Sequence, residues 1–385
     1  MGNGTFLINT ERIKQDFLQM TAIDSVSFRE REMADCLIKK LKELGFAVRE
    51  DDAGAGYGGN AGNVYGFLKG TLPGEPVLFV AHMDTVQPGI GKKAVFGEGG
   101  KIASDGNTVL GADDVAGIVE ILEGIRSIRE AGIAHRDVEV LFPIGEELYD
   151  KGTKAFDLDI IRAKEAYVLD LSGAVGKAAL RAPSIISFAI TIQGKAAHAG
   201  FEPEKGIHAI ALMSRVITKI RQGRTDAGIT LNIGTISGGS MSNIVPEVCE
   251  CRGEVRSFSH EKALQSLEEF KQVVEDTIRG TGATYTMKSD VHIVAYEIEE
   301  NEPVVQRFLQ SCKEMNIQGE LTETFGGSDN HVLVQKGIRG IVLSCGMYQV
   351  HSVNEYALLD DLKKGARLVG RLAADAMSQD VGTGC

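Results

Sequence analysis

Four short apolar runs limit this chain to a mixed α/β fold more firmly than any other feature of its sequence. They cover residues 77–81, 138–142, 166–169 and 341–344, and nearly all of their side chains are apolar. Continuous apolar runs of this length are typical of strands in a sheet that is covered on both faces. A helix with one apolar side is predicted over 115–130, between the first two strands. The sequence therefore predicts a mixed sheet flanked by helices.

The pattern changes after Ala182. The segments that follow are predicted in the order β-α-β-β-α-β, which is the ferredoxin-like arrangement. The first pattern resumes near Ile298. We therefore predict a large α/β domain formed by 1–181 and 296–385, with a smaller α+β domain inserted over 182–295.

The segment 10–45 is predicted to form two helices. Ser27 and Glu30 have the spacing of a capping box, with an apolar stripe beginning at Met33. This spacing predicts that both side chains cap the start of the second helix.

The charge and the cysteines exclude several classes of protein. The net charge is −12, which opposes sequence-independent binding to nucleic acid or to an anionic membrane, because both need a basic surface. No apolar run approaches the roughly 20 residues that cross a membrane, and the first residues lack the order of a signal peptide. The 6 cysteines are scattered, and Cys249 and Cys251 are too closely spaced for a zinc knuckle. We therefore expect free thiols and a cytoplasmic protein.

A histidine and an aspartate follow the first apolar run. His82 and Asp84 are two residues apart, so they point to the same side if the strand continues. They lie at the carboxyl end of the strand, where open α/β sheets bind ligands. Taken alone, such a pair is more often a structural hydrogen bond than a catalytic one.

Acidic residues and a second histidine follow the other apolar runs or precede the predicted helix, and each has an ordinary explanation by itself. Together at one edge of one sheet, two histidines and three carboxylates suffice to hold two divalent ions about 3.5–4 Å apart when one carboxylate is shared. Imidazole with carboxylate favours zinc, with cobalt or manganese as substitutes. One of two adjacent glutamates is available as a ligand and the other for proton transfer. The residues are Asp113, Asp114, Glu146, Glu147, Asp170 and His351.

The motifs "HMDTV", "GADD", "GEE", "AYVLDLSG" and "AAHAG", in this order, resemble the M20 family of dizinc peptidases, in its peptidase T-like branch. The resemblance covers nearly the whole chain. It implies a zinc-peptidase-like catalytic domain and an inserted lid and dimerisation domain. It also implies an aminopeptidase that cleaves short peptides such as tripeptides. A deacylase or carboxypeptidase of the same fold is the alternative.

The resemblance also implies a role for each motif residue. A water that bridges two zinc ions would give its proton to the general base, attack the peptide carbonyl, and leave the base to protonate the departing amine. By resemblance, His82 and Asp170 bind one zinc, Glu147 and His351 bind the other, Asp113 bridges them, Glu146 is the general base and Asp84 lies behind His82.

The inserted domain carries three further residues by resemblance. His198 corresponds to a histidine that reaches across a homodimer and polarises the substrate carbonyl, and Asn243 to a substrate-binding residue. Arg256 is a candidate anchor for a substrate carboxylate, although an arginine in a strand is more often a surface residue. Val115 stands where many relatives carry lysine. We expect the protein to be active with valine at this position.

A non-catalytic binding protein on the same scaffold is a competing hypothesis. It predicts the loss of at least one metal ligand or of the base, and all six positions are filled.

Overall fold

The computed structural model describes residues 6–226 and 228–374. They divide into two compact units. The first comprises the chain up to Leu180, Glu297–Glu323 and the chain from Ser328, and the second comprises Arg181–Tyr296 with Thr324–Gly327. The outermost parts of the predicted first domain, 1–5 and 375–385, lie outside the described residues, as does Cys385.

The described residues form both helices and strands in each unit. The helices are α1 Thr10–Thr21, α2 Arg31–Glu43, α3 Ala112–Glu130, α4 Lys151–Ala155, α5 Ala209–Lys219, α6 His260–Ile278, α7 Pro303–Glu314, α8 Asn330–Gln335 and α9 Leu359–Ala374. The strands are β1 Ala47–Glu50, β2 Val64–Leu68, β3 Val77–Val80, β4 Ala94–Phe96, β5 Lys101–Ser104, β6 Val138–Phe142, β7 Glu165–Leu171, β8 Lys177–Ala182, β9 Ser184–Gln193, β10 Gly223–Asp226, β11 Ile229–Gly238, β12 Val248–Ser257, β13 Thr284–Ile293, β14 Tyr296–Glu297, β15 Glu320–Glu323, β16 Arg339–Ser344, β17 Met347–Tyr348 and β18 Tyr356–Leu358.

The first unit is built on a mixed sheet whose main path runs β1-β2-β6-β3-β7-β16-β8-β14. The central strands β6, β3, β7 and β16 are parallel to one another. They are the four predicted apolar runs, so the predicted α/β fold is confirmed. Because parallel strands point their carboxyl ends to one edge, the loops after β3, β6 and β7 leave the sheet on the same side. A separate sheet has the order β17-β18-β5-β4.

Helix α3 is the central helix of this unit and is buried along most of its length. Its predicted apolar residues Ile118, Leu122 and Ile125 have no exposed surface. A side chain at Gly124 would lie 2.9 Å from Cβ of Val369, so glycine allows α9 to approach α3 closely. This tight packing holds α3 against α9, and the "GADD" motif forms the first turn of α3.

The second unit has a sheet of order β10-β11-β12-β9-β13, with α5 and α6 packed against it. The elements β9, α5, β11, β12, α6 and β13 follow the predicted β-α-β-β-α-β order. The short strand β10 was not predicted, and it pairs only with the first residues of β11. The described cysteines are free, and Cys249 and Cys251 are buried on β12. Among the described residues, no helix combines the length and the apolar surface needed to cross a membrane.

The capping-box prediction is wrong. Glu30 precedes α2, but its side chain makes no hydrogen bond that caps this helix. Its carboxylate accepts a hydrogen bond from the backbone N–H of Gly145, and Ser27 donates its hydroxyl to Asp84 at 2.7 Å. Both polar side chains are therefore used to hold loops at the edge of the sheet.

Candidate metal centre

His82 lies two residues beyond the end of β3, where the chain still follows β6. Its side chain is 2 % exposed. Ring nitrogen Nδ1 lies 3.0 Å from the backbone oxygen of Asp84 and 3.5 Å from Oδ1 of the same residue. Because a carbonyl oxygen only accepts hydrogen bonds, Nδ1 carries a proton. Nε2 is therefore the nitrogen that would bind a metal ion.

Asp113 lies between the two histidines at the start of α3. Its Oδ1 is 3.0 Å from Nε2 of His82, and its Oδ2 is 3.2 Å from Nε2 of His351. Burial opposes ionisation of this carboxyl, but hydrogen bonds from His351 and His82 hold its pKa well below the ordinary value. One carboxylate thus presents one oxygen to each imidazole.

Glu147 and His351 form the second half of the cluster. Oε1 of Glu147 lies 3.0 Å from Nε2 of His351. Hydrogen bonds to Asp113 and Glu147 raise the pKa of His351 to about 10, although burial opposes this. The pKa of Glu147 is raised by burial, because a carboxylate loses hydration in this site.

Glu146 and Asp170 complete the group around His82. Nε2 of His82 lies 3.9 Å from Oε2 of Glu146 and 3.9 Å from Oδ1 of Asp170. Burial raises the pKa of Glu146, and the charge of Asp170 raises it further. The pKa of Asp170 is raised by burial and by the charge of Asp113. The site therefore concentrates more buried negative charge than its two histidines balance.

Two sets of ligand atoms each lie within 4.8 Å of one another. One set is His82, Asp113 and Glu147, and the other is His82, Asp114 and Asp170. The second set contains Asp114, which the predicted ligand set does not. The predicted metal ligands are brought together in one cluster, and their assignment to individual ions stays a prediction.

Asp114 holds the backbone around the site. Its Oδ2 accepts the backbone N–H of His82 at 3.1 Å, and its Oδ1 accepts the N–H of Gly117 at 3.2 Å. It therefore fixes both the end of the β3 segment and the first turn of α3. The two adjacent aspartates of "GADD" mark this position in the sequence. Their spacing alone does not show which aspartate binds a metal ion and which one holds the backbone.

Asp84 and Glu30 hold the loop that carries the adjacent glutamates. The carboxylate of Asp84 accepts the N–H of Glu146 at 2.9 Å and of Glu147 at 3.3 Å. Glu30 accepts the N–H of Gly145 at 3.1 Å. Burial, with the charge of Asp84, raises the pKa of Glu30 to about 7. Three consecutive amides are thus directed at two buried carboxylates.

His198 and Asn243 lie side by side in the second unit. The N–H of Ala199 donates to the backbone oxygen of Asn243 at 2.9 Å, and both predicted residues are exposed. Nδ1 of His198 accepts the N–H groups of Gly200 at 3.1 Å and of Phe201 at 3.2 Å. Since Nδ1 accepts, the proton of the neutral ring is on Nε2, which is then a hydrogen-bond donor.

Arg256 lies on β12 in the second unit and has partners within it. It donates to Oε1 of Glu254 at 2.7 Å and to the backbone oxygen of Phe325 at 2.7 Å. Its role as an anchor for a substrate carboxylate stays a prediction.

Comparison with known proteins agrees with the motifs. Residues 182–281 match the peptidase dimerisation domain, and residues 63–228 match peptidase family M28. The chain is 36% identical to the aminopeptidase PepT of Bacillus cereus ATCC 10987, covering 95% of this chain and 98% of that one, with a TM-score of 0.90. A tripeptidase of Staphylococcus aureus is 30% identical over 96% of this chain and 98% of its own, with a TM-score of 0.93. Peptidase T of Serratia proteamaculans is 26% identical over 80% of this chain and 85% of its own.

These similarities extend over both units, and the chain spans nearly the full length of both solved structures. The chain belongs to the M20 family of metallopeptidases, in its peptidase T-like branch.

Proposed function

We propose that this protein is a metal-dependent aminopeptidase that removes the first residue from short peptides, with tripeptides as its preferred substrates. The observation that carries the proposal is the position of Asp113, with one carboxylate oxygen facing each of two imidazoles. The similar proteins named as an aminopeptidase and a tripeptidase support the choice of bond and of substrate length.

The donor set fits two divalent ions. Imidazole nitrogen with carboxylate oxygen is the ligand chemistry that suits zinc. Bound cations would also offset the repulsion between the neighbouring buried carboxylates. His82 and Asp170 would hold one ion, Glu147 and His351 the other, with Asp113 between them. A pair of bound divalent ions supplies an acidified water and positive charge for the oxyanion.

Glu146 is the general base in this proposal. It is 8 % exposed and next in sequence to a proposed ligand, and its backbone N–H donates a hydrogen bond to Asp84. Its carboxylate oxygen Oε2 lies 3.9 Å from Nε2 of His82, close to where the ions would be held. Burial and the charge of Asp170 raise its pKa, which favours taking a proton from water and returning it to the leaving amine.

We also propose a homodimer formed through the second unit. Strand β11 pairs along its length with β12, whereas β10 covers only the residues up to Leu231. Apolar side chains near this open edge are exposed, among them Ile236 at 53% and Met241 at 65%. An open strand edge with apolar neighbours favours pairing with a second copy. The match of residues 182–281 to a peptidase dimerisation domain supports dimerisation through the second unit.

His198 would then serve the active site of the partner subunit. Its Nε2–H is suited to donate to a substrate carbonyl oxygen, which increases in negative charge as the water attacks. A cytoplasmic location is part of the proposal, because the described cysteines are free thiols.

The direct test offers the purified protein three tripeptides of one sequence: free at both ends, N-acetylated, and C-amidated. An aminopeptidase cleaves the free and the amidated peptide and spares the acetylated one. Cleavage of the acetylated peptide, or release of the last residue first, would favour the deacylase or carboxypeptidase alternative. Loss of all cleavage in a chelator, with recovery on adding zinc, is expected in either case.

A further inference from the structure

Glu355 is a buried carboxylate that links two segments of the metal centre. It is 1 % exposed and lies four residues after His351. Its Oε2 accepts the backbone N–H of Leu110 at 2.6 Å and of Gly111 at 2.8 Å. Its Oε1 accepts the N–H of Asp113 at 2.9 Å. One side chain thus holds three amides of the turn that presents Asp113.

The backbone of Glu355 is itself fixed. Its carbonyl oxygen accepts the N–H of Ser104 from β5 at 3.0 Å, and its own N–H donates to Ser352 at 3.1 Å. The segment that carries His351 is therefore anchored to β5 at Glu355. From this anchored position the carboxylate reaches the turn before α3.

We propose that Glu355 is a positioning residue that sets the separation between Asp113 and His351, and through it the geometry of the second metal position. The inference rests on the proposed function, because it assigns Asp113 and His351 to metal binding. Glu355 acts through the backbone of Asp113 and through its own short connection to His351. Nε2 of His351 and Oδ2 of Asp113 lie 3.2 Å apart in this arrangement.

A carboxylate is required here by hydrogen-bond chemistry. Three N–H donors need three acceptor lone pairs, and an ionised carboxylate offers about four. In Glu355→Gln the amide oxygen still accepts from Leu110 and Gly111, but the NH₂ group then faces the N–H of Asp113. Two donors repel each other, so this substitution disturbs the residue that is proposed to bridge the ions.

The competing explanation is that Glu355 only stabilises the fold. Glu139 on β6 offers a matched control, because it is 0 % exposed and also accepts backbone N–H groups. The N–H groups of Arg162 and Ala163 donate to its carboxylate at 3.0 Å and 2.7 Å. These two residues precede β7, at the opposite end of that strand from Asp170. Glu139→Gln therefore removes a similar buried carboxylate without touching a proposed ligand segment.

The experiment titrates Co²⁺ into metal-free full-length wild type, Glu355→Gln and Glu139→Gln, following visible absorption. Thermal unfolding of the metal-free chains and kcat and KM for a tripeptide are measured in parallel. We expect Glu355→Gln to weaken one of two Co²⁺ sites by about 10- to 100-fold, to change the absorption spectrum, and to lower kcat with little change in KM. Glu139→Gln should lose stability but keep the Co²⁺ titration and the spectrum.

Wild-type affinity and spectrum in Glu355→Gln would overturn the inference, as would the same changes in Glu139→Gln. If Glu355→Gln does not fold, Glu355→Asp keeps the charge but is one methylene shorter, and it should show the same Co²⁺ defect. If the wild type takes up two Co²⁺ ions and Glu355→Asp gives the same titration as the wild type, the positioning role of Glu355 is rejected. The proposed function then still stands. A wild type that takes up no Co²⁺ would reject the proposed function and this inference together.

Discussion

The adjacent glutamates of the "GEE" motif should fail in different ways when each is changed to glutamine. Glu147 contacts a proposed metal ligand, since its Oε1 lies 3.0 Å from Nε2 of His351. Glu146 is 3.9 Å from Nε2 of His82 and is the proposed base. The backbone N–H groups of both residues bond to Asp84, and glutamine keeps those bonds. The substitutions therefore test the carboxylates and leave the loop in place.

The expected magnitudes follow from these roles. Glu146→Gln removes the proton acceptor but no proposed ligand, so it should keep the metal content and lose about 10²–10⁴-fold in kcat. This loss equals about 2.7–5.5 kcal/mol of transition-state stabilisation. Glu147→Gln replaces an anionic ligand by a neutral amide, so it should lose one ion on dialysis.

The assay combines metal analysis by mass spectrometry after dialysis with initial rates on a free tripeptide. Glu75→Gln serves as the control, because Glu75 is exposed in the loop before β3 and should change neither quantity. A Glu146→Gln protein that loses metal, together with a Glu147→Gln protein that keeps two ions and loses only turnover, would show that the two assignments are reversed.

Three further predictions concern the supporting residues and the dimer. Asp84→Asn leaves a loop amide without an acceptor and should lower the free energy of unfolding by about 1–3 kcal/mol in urea titrations. Ser27→Ala spares both amides, so it should lower the free energy of unfolding by less. Equal losses in the two variants would contradict the loop-holding role of Asp84. Because the pKa of Glu30 is raised from 4.5 to about 7 in the folded protein, the folded state binds this proton more tightly than the unfolded chain. The metal-free wild type should therefore lose about 3 kcal/mol of stability between pH 4.5 and 7 relative to Glu30→Gln, and parallel stability curves for the two proteins would refute this. Mixed and exchanged His198→Ala and Glu146→Gln chains should regain activity in hybrid dimers, and no recovery after exchange is verified by mass would reject action in trans.

The fold was predictable from the sequence because its central strands are buried on both faces. Such strands carry continuous apolar runs, and β3, β6, β7 and β16 lie where those runs predict them. The order of the second unit was predictable for a related reason, since most of its predicted elements bury apolar side chains on one face in a shared core. Strand β10 has exposed polar residues and therefore gave no such signal.

The clustering of the site was predictable because the carboxyl ends of parallel strands meet at one edge. His82, Glu146 and Asp170 each follow or end one of these strands, so their approach follows from the sheet. The hydrogen bonds that support these residues were not predictable. Ser27 and Glu30 have the spacing of a helix cap but bond to distant loops.

Glu355 shows the same limit more strongly. Its bonds reach amides 242 to 245 residues earlier in the chain, and backbone N–H groups are the same for every residue type except proline. Residue types and local spacing carry no record of such a bond. A supporting carboxylate therefore becomes visible only when the fold places it against a specific turn.

The most direct test of the two-ion centre is an anomalous difference map at the zinc edge from crystals of the full-length protein grown with zinc. We expect two peaks per chain, one bonded to His82 and Asp170 and one to Glu147 and His351, at about 2.0–2.2 Å from their ligand atoms. One oxygen of Asp113 should contact each peak. A single peak, or two peaks that do not share Asp113, would contradict a two-ion centre bridged by Asp113.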